Sequence, residues 1–411
     1  MAQQQRTYVP DRKYDFELKI REMDYSDELY QIRIVSSLNS PYQIVSLSLF
    51  LDQNDIILQK IYGGDPLKLK VRLLGDVNRA PLEQTDFELI YLKGKFQVGM
   101  KEPVSTGKQV DRTTYTILCV CRQPFKTITT PINEVYLNAT ISSILQDLAS
   151  KAGATLQLDS EGLNTDTIDQ VLVPRTTLYK AIRYLDERFG IFNGASAIFC
   201  QHDNKLYIKN LTSKTKTNQA FTVYQLATVD SKTDDREIMS KSTDGKNFYT
   251  YDKISAKNSS NVKFSVFANK ERYIMTPKDQ LYHVLEEDLQ SVCEQNGIIY
   301  QNKNVEFDNI LEERERLITD PCAYETSETF AVSKMSKYMA NVSSISFSLE
   351  KNLPILNLVN VGEAVKLITK TVENTDLSGK YILKTSDFYF HKDKDWQCTC
   401  KLELIRTNQT I

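Results

Sequence analysis

The sequence predicts a mainly β protein with α/β inserts, ordered as barrel, α/β insert, part barrel, helical insert and barrel completion. Three observations lead there. Apolar and polar residues alternate strictly near both ends of the chain, the period turns helical after Thr130-Pro131, and a second helical spacing follows Thr276-Pro277.

Tyr14, Phe16, Leu18 and Ile20 alternate with Asp15, Glu17, Lys19 and Arg21, which is the pattern of a half-buried strand. Tyr30–Ile34 repeats it, and Val45–Leu51 does so after Ser40-Pro41. Turn chemistry at Asp52–Asp55 and Gly63-Gly64-Asp65-Pro66 separates these runs from strands over Leu67–Leu74, Phe87–Tyr91 and Thr113–Arg122. So many short strands within residues 1–130 predict a small antiparallel barrel or sandwich.

Residues 131–212 read as an α/β module. Ile141, Ile144, Leu145 and Leu148 share one helical face, with Thr140 placed to cap the helix and Gly153 to end it. Leu178, Ala181, Ile182, Leu185 and Phe189 mark a second helix, capped by Thr176 or Thr177 and stopped at Gly190. A hairpin over Ala197–Gln201 and Leu206–Lys209 turns at His202–Lys205.

Residues 213–255 together with 346–411 are expected to form a second barrel, interrupted by a helical module over 256–345. In that module Leu281, Val284, Leu285, Leu289 and Val292 line a helix ending at Gly297, and a further helix is expected near Thr326–Met339. The last strand is the clearest. Trp396, Cys398, Cys400, Leu402 and Leu404 face one way and Gln397, Thr399, Lys401 and Glu403 the other, with Glu363–Thr371 and Tyr381–Phe390 as neighbours.

Composition narrows the function. The 411 residues carry 51 Lys+Arg against 53 Asp+Glu, for a net charge of −2. That balance argues against a dedicated nucleic-acid binder, which needs a basic excess to neutralise phosphate. A 41% hydrophobic content supports real cores rather than disorder. No apolar run reaches the roughly 20 residues of a membrane helix, and the polar start Met1–Arg6 is unlike a signal peptide. With an odd count of seven cysteines, the expectation is a reduced, intracellularly made protein.

No catalytic, cofactor-binding or metal site is expected. Cys119-Val-Cys121 and Cys398-Thr-Cys400 place thiols two apart on strands, a spacing that suits core packing rather than a zinc knuckle. His202, His283 and His391 have no ligand spacing among them. Nucleophile elbows, phosphate loops and zinc-protease motifs are missing, and Cys200 and Cys293 are not expected to serve as catalytic thiols. Glu286-Glu287-Asp288 and Glu312-Glu313 read as solvated faces, and Lys151, Arg175, Lys180, Arg183 and Arg188 are dispersed among acids.

The run Ile141–Leu148, then Val171-Leu-Val-Pro174, Thr177–Leu185, Phe189-Gly190 and the Phe199–Ile208 hairpin resembles the α/β insert of contractile-tail phage baseplate hub proteins. Asn360–Ile368, Leu377–Lys384 and Trp396–Arg406 are similar to the last barrel of that family, and Ser40-Pro41 with Val45–Leu51 to its first. The resemblance implies two tube-like antiparallel barrels, each accompanied by an inserted module. It further implies a homotrimer whose six barrels form a pseudo-hexameric ring in the virion, made in the host cytoplasm. The ring would adapt a hexameric tail tube protein to a trimeric central spike protein, with wedge or sheath components adjacent and DNA as passing cargo. Near-zero net charge is compatible with such a lumen. The sequence shows no fibrous repeat or lysozyme-like segment that would supply the spike or a cell-wall enzyme.

Two other classes fit the same alternation. A β-rich carbohydrate-active hydrolase predicts paired carboxylates about 5–10 Å apart in a cleft. A glycan-binding tail protein predicts sugar affinity without a ring.

Overall fold

The computed structural model describes residues 12–52, 61–75, 81–103, 109–214, 219–226, 246–251, 254–258, 271–275, 281–285, 343–357, 359–369 and 377–405. The amino-terminal part holds β1 (Lys13–Ile20), β2 (Met23–Asp24), β3 (Leu29–Ser37), β4 (Ile44–Asp52), β5 (Pro66–Leu74), β6 (Glu83–Pro103) and β7 (Gln109–Cys121). The alternation read from the sequence becomes burial: Tyr14, Phe16, Leu18 and Ile20 are buried, as are Val45, Leu47, Leu49 and Leu51. Between them, outward Asp15 and Glu17 face Arg72 and Lys70 across the β1–β5 ladder. β6 and β7 run well past the expected Phe87–Tyr91 and Thr113–Arg122, pairing as far as Pro103↔Gln109. The polar stretch Lys93-Gly-Lys95 hides this extension, because strand period is legible only where one face is apolar.

Next come α1 (Arg122–Ile128), β8 (Pro131–Thr140), α2 (Ile141–Lys151), β9 (Thr155–Leu158), β10 (Thr167–Thr177), α3 (Leu178–Arg188), β11 (Ser196–Cys200), β12 (Lys205–Asn210) and α4 (Leu211–Lys214). Thr140 caps α2, its side chain accepting from Ser143 N at 3.3 Å. Thr177 occupies the α3 cap position without such a bond; the amide of Leu178 donates instead to Thr130 O at 2.8 Å. Gly153 and Gly190 follow the two helices with φ of +67° and +71°, a conformation that costs glycine no Cβ clash. The buried faces of α2 and α3 meet Ile132, Ile168, Val171 and Val173 of the β8–β10 ribbon in one apolar cluster. Helix α1 replaces the expected end of a strand at Arg122; Pro124 is tolerated because it lies in the first turn.

The remaining strands are β13 (Phe221–Gln225), β14 (Asn247–Thr250), β15 (Ser255–Asn258), β16 (Glu271–Met275), β17 (Leu281–Leu285), β18 (Ser343–Leu349), β19 (Ala364–Thr369), β20 (Gly379–Lys392) and β21 (Trp396–Ile405). One expectation is corrected here. Leu281–Leu285, assigned to a helix within the helical module 256–345, is a strand paired antiparallel to Glu271–Met275. The spacing of Leu281, Val284 and Leu285 fits either period over so short a run, and Tyr282 and Val284 favour a strand. Leu289, Val292, Gly297 and the helix expected near Thr326–Met339 lie outside the described residues.

Eight strands pair in a cycle. From β1 it passes through β5, β6, β7, β4, β3, β20 and β21, and returns to β1 at Tyr14↔Trp396. The interior is aromatic: Phe390 lies 5.0 Å edge-on from both Tyr14 and Phe16, and Phe16 lies 4.5 Å from Trp396. Rings at these separations add about 1 kcal/mol per pair beyond their buried area.

A second group branches from the same two strands. β20 carries β19, β13 and β14, while β21 carries β18 and β15. Glu350 N donates to Tyr249 O at 3.2 Å, so the ends of the two branches touch. The 14-residue β20 serves both groups because a bulge between Leu383 and Thr385 redirects it, from β19 on one side to β3 on the other. The strands expected in a separate second barrel are thus also the closing strands of the first group, since their length exceeds what either partner covers.

Candidate functional site

Two buried charged side chains, Glu83 and Arg12, lie at one end of the eight-strand cycle beside the segment that carries Leu356. Strand β6 begins with Glu83, which is only 8% exposed. Its carboxylate accepts the amide of Leu356 at 2.9 Å, and Thr85 Oγ1 donates to Asn357 Oδ1 at 2.6 Å. From β1, Tyr14 OH donates to Leu353 O at 3.1 Å; Asn352 bonds Arg12 O and accepts the amide of Cys398. These ties lay the 350–361 segment across one end of the cycle. Burial pushes the Glu83 carboxyl up to about 7, against the opposing pull of the Leu356 and Asn357 amides and Arg12. Burial also holds Arg12 below its ordinary value, with Tyr249, Tyr14 and Glu83 opposing, and its Nε has no partner among the described residues.

A second set of contacts joins residues 195–211 to β19–β21. Ala195, Ala197, Phe199 and Leu211 form one apolar cluster with Val361, Ile382 and Ile405. Lys209, with 6% of its side chain exposed, pairs with Glu363 and lies 5.6 and 5.1 Å over the rings of Phe199 and Tyr207. Gly362 is at φ +77°, and a Cβ there would stand 3.1 Å from Lys209 Cδ, so both the turn and the buried lysine require glycine. Gln201 Nε2 donates to Asn360 Oδ1 at 3.2 Å at the rim.

The residues weighed for chemistry are dispersed over the fold. Cys119 and Cys121 on β7, Cys398 and Cys400 on β21, and Cys200 on β11 are buried free thiols. Desolvation raises each; Cys121 and Cys200 reach about 12, far from the thiolate that nucleophilic or metal chemistry needs. Among the described residues no three His, Cys, Asp or Glu groups are placed to hold a metal ion. His202 sits in the expected turn, and burial pulls its imidazole below the usual value, with Lys205 adding to this and Asp203 opposing. His391 lies within β20 and His283 within β17. Cys293, Glu286-Glu287-Asp288 and Glu312-Glu313 lie outside the described residues. Three of the dispersed bases find local partners: Lys151 pairs with Glu134 and Asp147, Arg183 with Glu187, and Arg188 lies over Tyr184. No described helix is long and apolar enough to cross a membrane.

Sequence reasoning missed Glu83 and the 350–361 segment. Glu83 begins its strand beside a loop and shows no period of its own, so only its position against Leu356 reveals it. The outward face of the β8–β10 ribbon was also unread. Val135, Leu137 and Leu172 stand 55–66% exposed there, an apolar face on a solvent side.

Residues 100–344 match the profile of the family described as Bacteriophage PBS1 gene 109 protein. The chain belongs to that family. No curated protein sequence matches it. Among solved structures, the 43 kDa tail protein of prophage MuSo2 from Shewanella oneidensis is similar over 96% of this chain and 98% of its own, at 12% identity and a TM-score of 0.54. A tail protein from Neisseria meningitidis MC58 is similar over 95% of this chain and 96% of its own, at 10% identity and a TM-score of 0.53. At such identities the likeness is one of fold. This member of the gene 109 family thus has the fold seen in a prophage tail protein and a second tail protein, in line with the resemblance to phage hub proteins read from the sequence.

Proposed function

We propose that the chain is a structural subunit of a phage tail baseplate hub. In this reading each chain contributes two tube-like barrels that share β20 and β21, with residues 131–212 inserted as an α/β module and 256–345 as a second insert. Three chains form a pseudo-hexameric ring in the virion. The ring stacks on a hexameric tail tube, holds a trimeric spike, contacts wedge or sheath components, and leaves a channel for the genome. It performs no catalysis.

The observation that carries this is the pairing cycle of eight strands joined, through two long shared strands, to a second group, in a chain whose fold matches phage tail proteins from end to end. Two barrels rigidly fused by common strands suit a ring of three chains with near-sixfold spacing, since neither can tilt freely against the other. The exposed ribbon of Val135, Leu137 and Leu172 supports an assembling chain, because contiguous apolar surface marks association sites.

Light scattering with negative-stain averaging of the purified protein, alone and with its spike, tests this. The expected particle is a ring with a central hole and three times 47.2 kDa of this chain. A chain that stays monomeric even with the spike present overturns the reading.

A further inference from the structure

A cavity of about 220 Å³ opens at the rim of the eight-strand cycle, between β3, β6 and β20, the 350–361 segment and the β11–β12 turn. Four carboxamides converge on it from three parts of the chain: Gln43, Gln201, Asn357 and Asn360. Gln43 is held at both ends, its Oε1 accepting from Cys121 Sγ at 4.0 Å, and the other three are each tethered at one end. Gln43 Nε2 donates to Ser36 Oγ at 2.9 Å, Gln201 Nε2 to Asn360 Oδ1 at 3.2 Å, and Asn357 Oδ1 accepts from Thr85. A carboxamide offers two donors and two acceptor positions, so these tethers fix its direction and leave the amide groups of Asn357 and Asn360 and the carbonyl of Gln201 with capacity to spare. Donors and acceptors held in place before binding lower its entropic cost.

The remaining wall mixes rings with the aliphatic side chains of Ile34, Leu356 and Val359. Phe87 lies 5.4 Å from the His202 ring, and Phe388 and Tyr207 complete that side. Asp203 is the sole formally charged lining residue among the described residues, and Lys205 Nζ pairs with it at 2.8 Å. The cavity therefore offers no unmatched charge to select an ion. It offers adjacent donors and acceptors beside ring edges, in a volume below the roughly 300 Å³ at which pockets for drug-sized ligands begin. A ligand meeting all of this is neutral, one ring in size, and bears neighbouring hydroxyls that both donate and accept, with C–H faces to lie on the aromatic side.

We propose that this cavity is a binding site for a single neutral sugar ring, free or as the terminal unit of a glycan. The proposal does not rest on ring assembly, and a monomeric chain would retain the site. Saturation-transfer NMR on the full chain tests it, using glucose, galactose, mannose, N-acetylglucosamine and their methyl glycosides, with glucuronate and N-acetylasparagine amide as contrasts. At least one neutral sugar is expected to bind at millimolar concentration. The Asn360→Ala and Asn357→Ala variants, each with wild-type Tm, are expected to bind about tenfold more weakly, the effect of removing one or two neutral hydrogen bonds. Asn357 is exposed, so its variant decides the matter if Asn360→Ala fails to fold. Equal binding of a methyl glycoside identifies the terminal unit of a glycan as the source, and its loss identifies the free sugar. Silence from every neutral sugar, binding untouched by both variants, or preference for glucuronate or the asparagine amide overturns the proposal.

Discussion

Replacing Glu83 by Gln should change how stability depends on pH. The carboxyl of Glu83 titrates near 7 in the fold and near 4.5 in the unfolded chain, because burial disfavours its charged form. Between those values the folded protein holds a proton that the unfolded chain has released. Stability from this group is therefore full below pH 4.5, declines as pH rises, and is lost above pH 7. The gap corresponds to about 3 kcal/mol at most, a sizeable share of the 5–15 kcal/mol that holds a typical domain. Nearby groups set the scale of the effect: Arg12 opposes the shift, while Tyr14 and Cys398 sit close enough to feel the charge. Glutamine keeps an oxygen for the Leu356 amide and does not ionise. Urea unfolding of both proteins at pH 5, 6, 7 and 8 reads the difference through Trp396, the sole tryptophan, which packs inside the strand cycle. The Glu83→Gln protein should gain on wild type by about 2–3 kcal/mol from the lowest to the highest pH. A difference that stays flat, or falls with rising pH, would refute a carboxyl held neutral by burial.

Other changes have equally definite outcomes. Leu402→Asp puts a charge on a fully buried face of β21 and should abolish soluble expression, whereas Leu402→Ala should cost about 2–5 kcal/mol in chemical unfolding. Wild-type melting of the aspartate variant would mean that the inward face is misassigned. Glu363→Ala strands the Lys209 ammonium among Phe199 and Tyr207 and should cost about 2–3 kcal/mol, somewhat under the value for a fully buried pair because Glu363 is a third exposed. The double change Lys209→Met with Glu363→Gln should recover most of that loss. Thr140→Ala removes the side-chain cap of α2 and should lower stability by about 1 kcal/mol, read as a fall in Tm.

The legible parts of this fold were those where period and burial coincide. The inward residues of β1, β4 and β21 follow from alternation alone, since a strand with one wet face must segregate its side chains. The helices of residues 141–151 and 178–188 follow from their apolar stripes and terminal glycines. Beyond that, sequence reading had no purchase on which strands are shared. The bulge at Leu383/Thr385 carries no marker residue, yet it lets β20 join two groups. The helix expected over Leu281–Leu285 failed because five residues satisfy both periods. Glu83, Lys209 and the carboxamide cavity depend on contacts between segments far apart in sequence. A lone Glu or Lys in a polar alternation looks solvated until its partner across the fold is known.

The shared strands also set an order of events during synthesis. Arg33 of β3 grips Asp387 of β20 through a two-pronged ion pair spanning 354 residues of chain. Until β20 and β21 leave the ribosome, β1 and β3 each keep an unpaired edge, and those edges can recruit another nascent chain. Closing so long a loop is slow compared with the local folding of α2 and α3. Helices α2 and α3 should therefore become protected early and the strand cycle last, giving chaperones a prolonged open intermediate to guard.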